Sequence, residues 1–204
     1  MATEARAKGQ RRPGRPSAGA RRAVLEAAHD LFMERDYGEV STEQVLERSG
    51  VSRGALYHHF PSKLDLFRAV FEASERRVIE RIVARAPTPA TPFEGLLLLA
   101  RGYLRAAETD EELRRIGLGQ SRAVLGWEGW RRAVADLGIG VALATVTAAI
   151  EAGELVPDDP ETTALVLLGA LIEGAMLIAV AEDRAAARER SEAVIVDLLQ
   201  GLRR

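Results

Sequence analysis

The sequence has 204 residues, 47% of them hydrophobic and 28% charged, enough to bury the core of one domain or of two small ones. It contains no cysteine, which excludes a disulfide framework and thiolate zinc sites. The net charge of −2 conceals an asymmetry: residues 1–85 hold 16 Lys and Arg against 12 Asp and Glu, residues 86–204 hold 12 against 18, and a polyanionic partner is expected at the N-terminal end only.

Residues 1–18 are basic and rich in Gly and Pro, lack the apolar run of a secretory signal, and read as a disordered arm. Within them RRPGRP, residues 11–16, resembles the Arg-Gly-Arg-Pro core of an AT-hook with Pro13 in place of the first Arg. Arg12 and Arg15 are the side chains such a segment inserts into a narrow A·T-rich minor groove. No alternating strand pattern follows; the chain reads as helices punctuated by Gly, Pro and Asp. The first helix is expected from about Ala20 to Arg35, with Val24, Leu25, Ala28, Leu31 and Phe32 on one face. Ser41 with Gln44 forms a capping-box pattern for a second, which Gly50 stops. Ser52 caps a short third helix ending at Phe60–Pro61. Ser62 with Asp65 opens a fourth, to about Arg85, with Leu64, Phe67, Phe71, Val78 and Ile82 as its stripe. APTPATP, residues 86–92, is the clearest internal boundary, and Thr91–Pro92 starts the next helix. That helix is expected to run to about Glu108, and further ones at about 110–124, 128–152, 160–182 and 185–202, about nine in all. Residues 164–181 hold a single charge, Glu173, near the lower length limit for a membrane span. A mid-span carboxylate is costly in lipid, and Gly169, Ala170, Gly174 and Ala175 admit a neighbouring helix, so a protein-buried helix at a subunit contact is expected.

The second and third helices are joined by SGVS, and two short helices around a Gly-containing turn are a helix-turn-helix signal. In that motif the second helix enters the DNA major groove with its N-terminal residues at the base edges. Ser52 and Arg53 stand at that N-terminus, where free N–H groups favour phosphate and Arg53 can pair bidentately with guanine. Gly54 and Ala55 allow the backbone close to the groove floor; Tyr57 and His58 can donate to phosphate; Leu56 and Phe60 turn inward with Val45, Leu46 and Val51.

With these elements in place, residues 21–72 resemble the DNA-binding headpiece of the TetR family of transcriptional regulators, through AVLEAAHDLF, STEQVL, SGVSRGALYHHFPSK and the following Leu64 and Leu66. SRAVLGWEGWRRAV, residues 121–134, resembles a C-terminal type found in some members. The resemblance implies an all-α homodimer: a three-helix headpiece, residues 19–66, and a helical body, residues 67–204, that binds a small-molecule effector and pairs the subunits through residues of about 159–202. It implies a cytoplasmic, ligand-responsive repressor on a pseudo-palindromic operator in double-stranded DNA, with no cofactor and no membrane. The DNA contacts it implies are Thr42, Ser52, Arg53, Gly54, Ala55, Tyr57, His58, His59 and Lys63. Three features depart from the family pattern. Asp36 replaces a Gly before Tyr37, where Asp tolerates a left-handed turn. Val45–Leu46 replaces a less bulky pair, and Glu43 and Glu47 put acid on the helix that approaches phosphate.

Adjacent His58 and His59 diverge by about 100° on a helix and cannot share a metal, and His29 stands alone. No GxSxG, Walker A, GxGxxG or HExxH pattern occurs, so no enzyme is expected. Arg101, Tyr103, Trp127, Trp130, Glu173 and Met176 are the candidate effector contacts, Glu173 with the alternative of pairing an Arg across a dimer. Two other readings remain: a weakly specific architectural DNA protein using the arm, and a membrane-associated sensor using residues 164–181.

Overall fold

The computed structural model describes residues 18–156 and 159–203. Arg12 and Arg15 lie outside the described residues. Eight α-helices and no strand occur among the described residues, in the order α1 Ala18–Glu34, α2 Thr42–Ser49, α3 Arg53–His59, α4 Lys63–Arg85, α5 Pro92–Thr109, α6 Ser121–Glu151, α7 Pro160–Val180 and α8 Arg184–Gly201. A 3₁₀ turn, Tyr37–Glu39, follows α1, and a π-helical segment, Leu113–Gln120, runs into α6.

The caps do what their side chains dictate. Ser41 Oγ accepts the N–H of Gln44 at 3.2 Å while Gln44 Oε1 accepts the N–H of Ser41 at 2.7 Å, so two free donors of α2 are satisfied reciprocally. Gly50 ends α2 at φ 65°, a conformation that favours glycine. Ser52, Ser62, Thr91, Asp159 and Asp183 cap α3, α4, α5, α7 and α8 through their side-chain oxygens. Asp36 departs from expectation. Its φ of −73° is extended rather than left-handed, and its N–H donates to Glu39 Oε2 at 3.1 Å, so the 3₁₀ turn closes without positive φ. The boundary expected between helices at 124 and 128 falls at Gly126, whose φ of 68° and ψ of 168° break α6 near its start.

α1–α3 and the N-terminal half of α4 enclose one apolar core. Phe32 and Phe67 meet edge-on at 5.0 Å, and Tyr37 packs on both. Each wholly buried Phe stabilises by roughly 1.5–3 kcal/mol over its exposed form. Val45, Leu56 and Phe60 lock α2 and α3 onto this core. The stripe on α4 is Leu66, Phe67, Val70, Phe71 and Val78; Leu64, expected on it, is 37% exposed. The same core continues into the body through Ile116, Leu125, Trp130, Ala133 and Ile172. A second core joins α5 to α8 with the far half of α4 around Leu104, Leu113, Val146, Ile178 and Leu199. By length and composition α7 could cross a bilayer, as could the stretch Leu113–Glu151. Here α7 packs on α5, α6 and α8.

Candidate DNA-binding surface and effector cavity

The exposed face of the headpiece is built on α3. Ser52 Oγ holds the N–H of Ala55 at 3.3 Å, fixing the first turn. Behind that turn Leu56 is fully buried and Phe60 nearly so, which leaves Arg53, Gly54, Tyr57 and His58 facing outward. Nothing lies within 4 Å of where a Cβ on Gly54 would stand, so its lack of a side chain answers no need inside the fold. Thr42 Oγ1 and Tyr57 OH lie 3.3 Å apart, tying the start of α2 to α3. Arg53 Nη2 donates to Glu43 Oε1, so the guanidinium expected at a base edge has an intramolecular acceptor. That pair and the Thr42 hydroxyl, which donates to Glu43 Oε2 at 3.2 Å, hold the Glu43 carboxyl below the usual range, together with its own backbone N–H, the largest cause.

Two expected contacts are placed otherwise. His59 is part-buried, and its Nε2 is enclosed without a partner rather than offered to solvent. The Lys63 ammonium donates to the Tyr37 carbonyl and sits 4.0 Å from the Tyr37 ring centroid, a cation–π contact. Burial there lowers its pKa. In this structure Lys63 latches the start of α4 to the 3₁₀ turn.

A cavity of about 120 Å³ lies in the body, walled by α4, α5, α6, α7 and α8. Ile79, Ile82, Leu96, Val141, Leu171 and Ile195 are typical of its aliphatic lining. Its polar groups are Glu75 and Tyr103, which face each other closely enough for the Tyr103 hydroxyl to favour the Glu75 carboxylate. Burial pushes the Glu75 carboxyl up to about 7, with the negative charges of Glu112 and Asp110 adding to the rise and the Tyr103 hydroxyl opposing it. Burial likewise raises Tyr103, and Glu75 adds to that.

Of the expected effector contacts only Tyr103 lines this cavity. Trp127 is 58% exposed, and its ring and that of buried Trp130 flank the Arg122 guanidinium, whose Nη1 lies 3.2 Å from Met176 Sδ. Arg101 faces the groove between α4 and α5 and pairs with Glu192 at 2.9 Å. Glu173 is exposed in a groove between α7 and α8 that also holds Arg190. Each is a candidate liner by residue type, but the helix phase turns all five away from the cavity.

Two family models match the chain: "Bacterial regulatory proteins, tetR family" over residues 24–70, and "Tetracyclin repressor-like, C-terminal domain" over residues 93–202. The chain belongs to the TetR family. A TetR-family regulator from Pectobacterium atrosepticum is 32% identical, with a TM-score of 0.74 over 90% of this chain and 93% of that one. Among curated relatives, the transcriptional regulator AcrR of Shigella flexneri is 32% identical over 46% of this chain and 44% of its own length. The transcriptional activator FasR of Mycolicibacterium smegmatis is 34% identical over 53% and 50%. The chain thus spans about half the length of these curated relatives. The fold is shared by RolR, solved with resorcinol, at 18% identity and a TM-score of 0.70 over 88% of this chain and 86% of that one. The protein is a TetR-family DNA-binding transcriptional regulator.

In this TetR-family chain, headpiece and body meet at the π-helical segment. Arg115 Nε and Gln120 Nε2 both donate to the Phe32 carbonyl at 3.1 Å, and Gln120 Oε1 accepts the Tyr37 N–H at 2.8 Å. The open C-terminal end of α1 is thereby capped by the body. Beside it Glu112 accepts from His29 Nε2 at 3.0 Å, from Arg77 Nε at 3.2 Å and from Arg81 Nη2 at 3.3 Å. Burial opposes ionisation of Glu112, but the bonds from His29 and Arg77 outweigh it and hold the carboxyl far below its ordinary value. His29 is raised correspondingly, chiefly by Glu112. Sequence reasoning missed both Glu112 and Glu75. Glu75 had a signal: it stands four residues after Phe71 and three before Val78, on the apolar stripe of α4.

Proposed function

We propose that the protein is a cytoplasmic homodimeric repressor whose two headpieces bind a pseudo-palindromic operator and whose body binds a small effector that weakens that binding. The observation that carries this reading is the double duty of α4. Its N-terminal half packs Leu66, Phe67 and Phe71 into the headpiece core, and its C-terminal half gives Glu75, Ile79 and Ile82 to the cavity wall. A ligand that moves one wall moves the other half of the same helix, and with it the spacing of the two α3 helices. RolR, of the same fold, was solved with a small ligand, which supports the effector role.

On this reading residues 19–66 are the DNA-binding unit and residues 67–204 the effector and pairing unit. Thr42, Ser52, Arg53, Gly54, Ala55, Tyr57 and His58 meet DNA, and Lys63 adds charge to the phosphates from its place against Tyr37. Pairing runs through α7 and α8, where Val166, Leu177, Val180 and Val194 are each more than half exposed and a second copy of the chain would cover them. Glu173 and Arg190, on the same groove, supply opposite charges that a two-fold axis brings into register.

The test begins with selection of bound fragments from genomic DNA, followed by anisotropy titration of the recovered site against bulk DNA at rising salt. A specific site bound at least 10³-fold more tightly, half-sites spaced about one helical turn apart and a two-to-one stoichiometry are expected. Equal affinity for bulk DNA at moderate salt overturns the reading in favour of an architectural protein.

A further inference from the structure

The geometry points to an apolar amine as the ligand class of the body cavity: the aliphatic walls enclose its hydrocarbon, and the Glu75 carboxylate, with Tyr103, receives its ammonium. This rests on the reading of that cavity as the effector site. Size comes first. A cavity of about 120 Å³ suits one ring or a short branched chain; a dry apolar cavity of roughly 150 Å³ takes benzene.

Charge comes second. Glu75 makes no ion pair among the described residues, although Arg77 and Arg81 follow two and six residues further along α4. Arg77 is taken by Glu112, and Arg81 by Asp110 and Glu112. The cations near the cavity are therefore spent on neighbouring acids, and the one carboxyl facing the cavity has only a phenol for company. The titratable and charged groups around it are the neutral phenol of Tyr103 from α5, Asp110 and Glu112 before the π-helical segment, and Arg77 and Arg81 on α4. α6, α7 and α8 present only aliphatic side chains to it. Asp110 and Glu112 make its surroundings more negative, which opposes an acidic ligand and favours a cation.

Position comes third. A Cβ on Gly117 would stand 2.2 Å from Glu75 Oε1, so the carboxyl is seated against bare backbone of the π-helical segment and cannot retreat that way. With Tyr103 on it as well, the group is held facing the cavity. A buried carboxyl costs stability unless compensated, and an ammonium is the compensation the site lacks.

The experiment is calorimetric titration of the full chain with cyclohexylamine, cyclohexanol and cyclohexanone at pH 6 and pH 8. Cyclohexylamine is expected to bind at least tenfold more tightly than cyclohexanol at pH 8. It should lose about tenfold between pH 8 and pH 6 as the carboxyl protonates. Glu75→Gln should remove both the preference and the pH dependence while still binding cyclohexanol. Tyr103→Phe should keep the preference at reduced affinity. His29→Asn, which alters the nearby group that also titrates in this range, should leave the pH dependence in place. If cyclohexanol or cyclohexanone binds as tightly as the amine at pH 8, or more tightly at pH 6, the amine class is refuted while the cavity reading stands. If none of the three binds, both fall.

Discussion

Replacing Gly54 with Ala separates what the fold needs from what the proposed DNA surface needs. Gly54 lies in the first turn of α3 with helical backbone, and no atom stands within 4 Å of an added Cβ. The free protein therefore has no steric objection to alanine. Helical Gly→Ala changes stabilise by about 0.5–1 kcal/mol, mainly because alanine has fewer conformations to lose on folding. For a chain of this size that corresponds to a rise of about 1–4 °C in Tm. Against DNA the same methyl is pushed into the groove floor. Forcing an extra methyl into a closely packed contact costs about 1–3 kcal/mol, or roughly five- to a hundredfold in operator affinity. The assay is a thermal melt and an anisotropy titration on one preparation. A higher Tm with weaker binding is the expected signature. Unchanged operator affinity would mean that this face of α3 does not approach DNA, and a lower Tm would mean that the space around Gly54 has been misread.

Four further outcomes follow from the body and the junction. Glu75→Gln should stabilise the protein at pH 8 by about 3 kcal/mol and leave stability near pH 4 unchanged, as chemical denaturation would measure. The carboxyl is raised from 4.5 to about 7, so its ionisation costs nothing below the lower value, an increasing amount between the two and the full amount above the higher. For His29 the sign is opposite. Its raised pKa gives stabilisation that is complete below the unfolded value of 6.5 and lost as pH rises through the folded one, so His29→Asn should flatten the stability profile there. Arg115→Ala with Gln120→Ala strips the body's cap from the Phe32 carbonyl and should cut the effector's effect on DNA binding while each separate affinity survives, as paired titrations would show. Leu177→Arg on exposed α7 should leave the helical content intact and halve the mass seen in sedimentation; an unchanged mass would place the subunit contact elsewhere.

The headpiece was legible because its information is local. Caps at Ser41, Ser52 and Ser62 lie within three residues of the groups they satisfy, and Gly50 is read from its own φ. Leu64 fooled the stripe because three- and four-residue steps leave two phases open at the start of a helix, and only the position of Phe32 across from Phe67 chooses between them. In the body the helices were found, with the break now seen at Gly126 expected between about 124 and 128, but the cavity was not. Its wall is assembled from five helices, and which face of each turns inward depends on packing that no single window contains. The polar residues that drew attention there, Arg101, Trp127 and Glu173, are conspicuous because they are exposed. Glu75 went unnoticed because it interrupts an apolar stripe without ending it. The π-helical segment was read as ordinary helix, since one extra residue in a turn leaves no compositional mark.

The Arg53–Glu43 pair bears on how the proposed DNA surface discriminates between sequences. Both side chains are well exposed, so the pair adds little to the stability of the free headpiece and is easily opened. When Arg53 forks onto guanine N7 and O6, two charge-assisted bonds replace one intramolecular contact, and a good bidentate contact discriminates by about 1–3 kcal/mol. On a site without that guanine, Arg53 has no reason to leave Glu43, and the pair stays closed, so that contact to the base edge is not made. If Arg53 reads a base as proposed, the acidic residue on α2 makes binding conditional on the correct one: it offers Arg53 an alternative that only a matching edge displaces. Glu43→Gln should accordingly raise affinity for bulk DNA more than for the operator, and a uniform gain on both would show that Glu43 acts only through the overall charge.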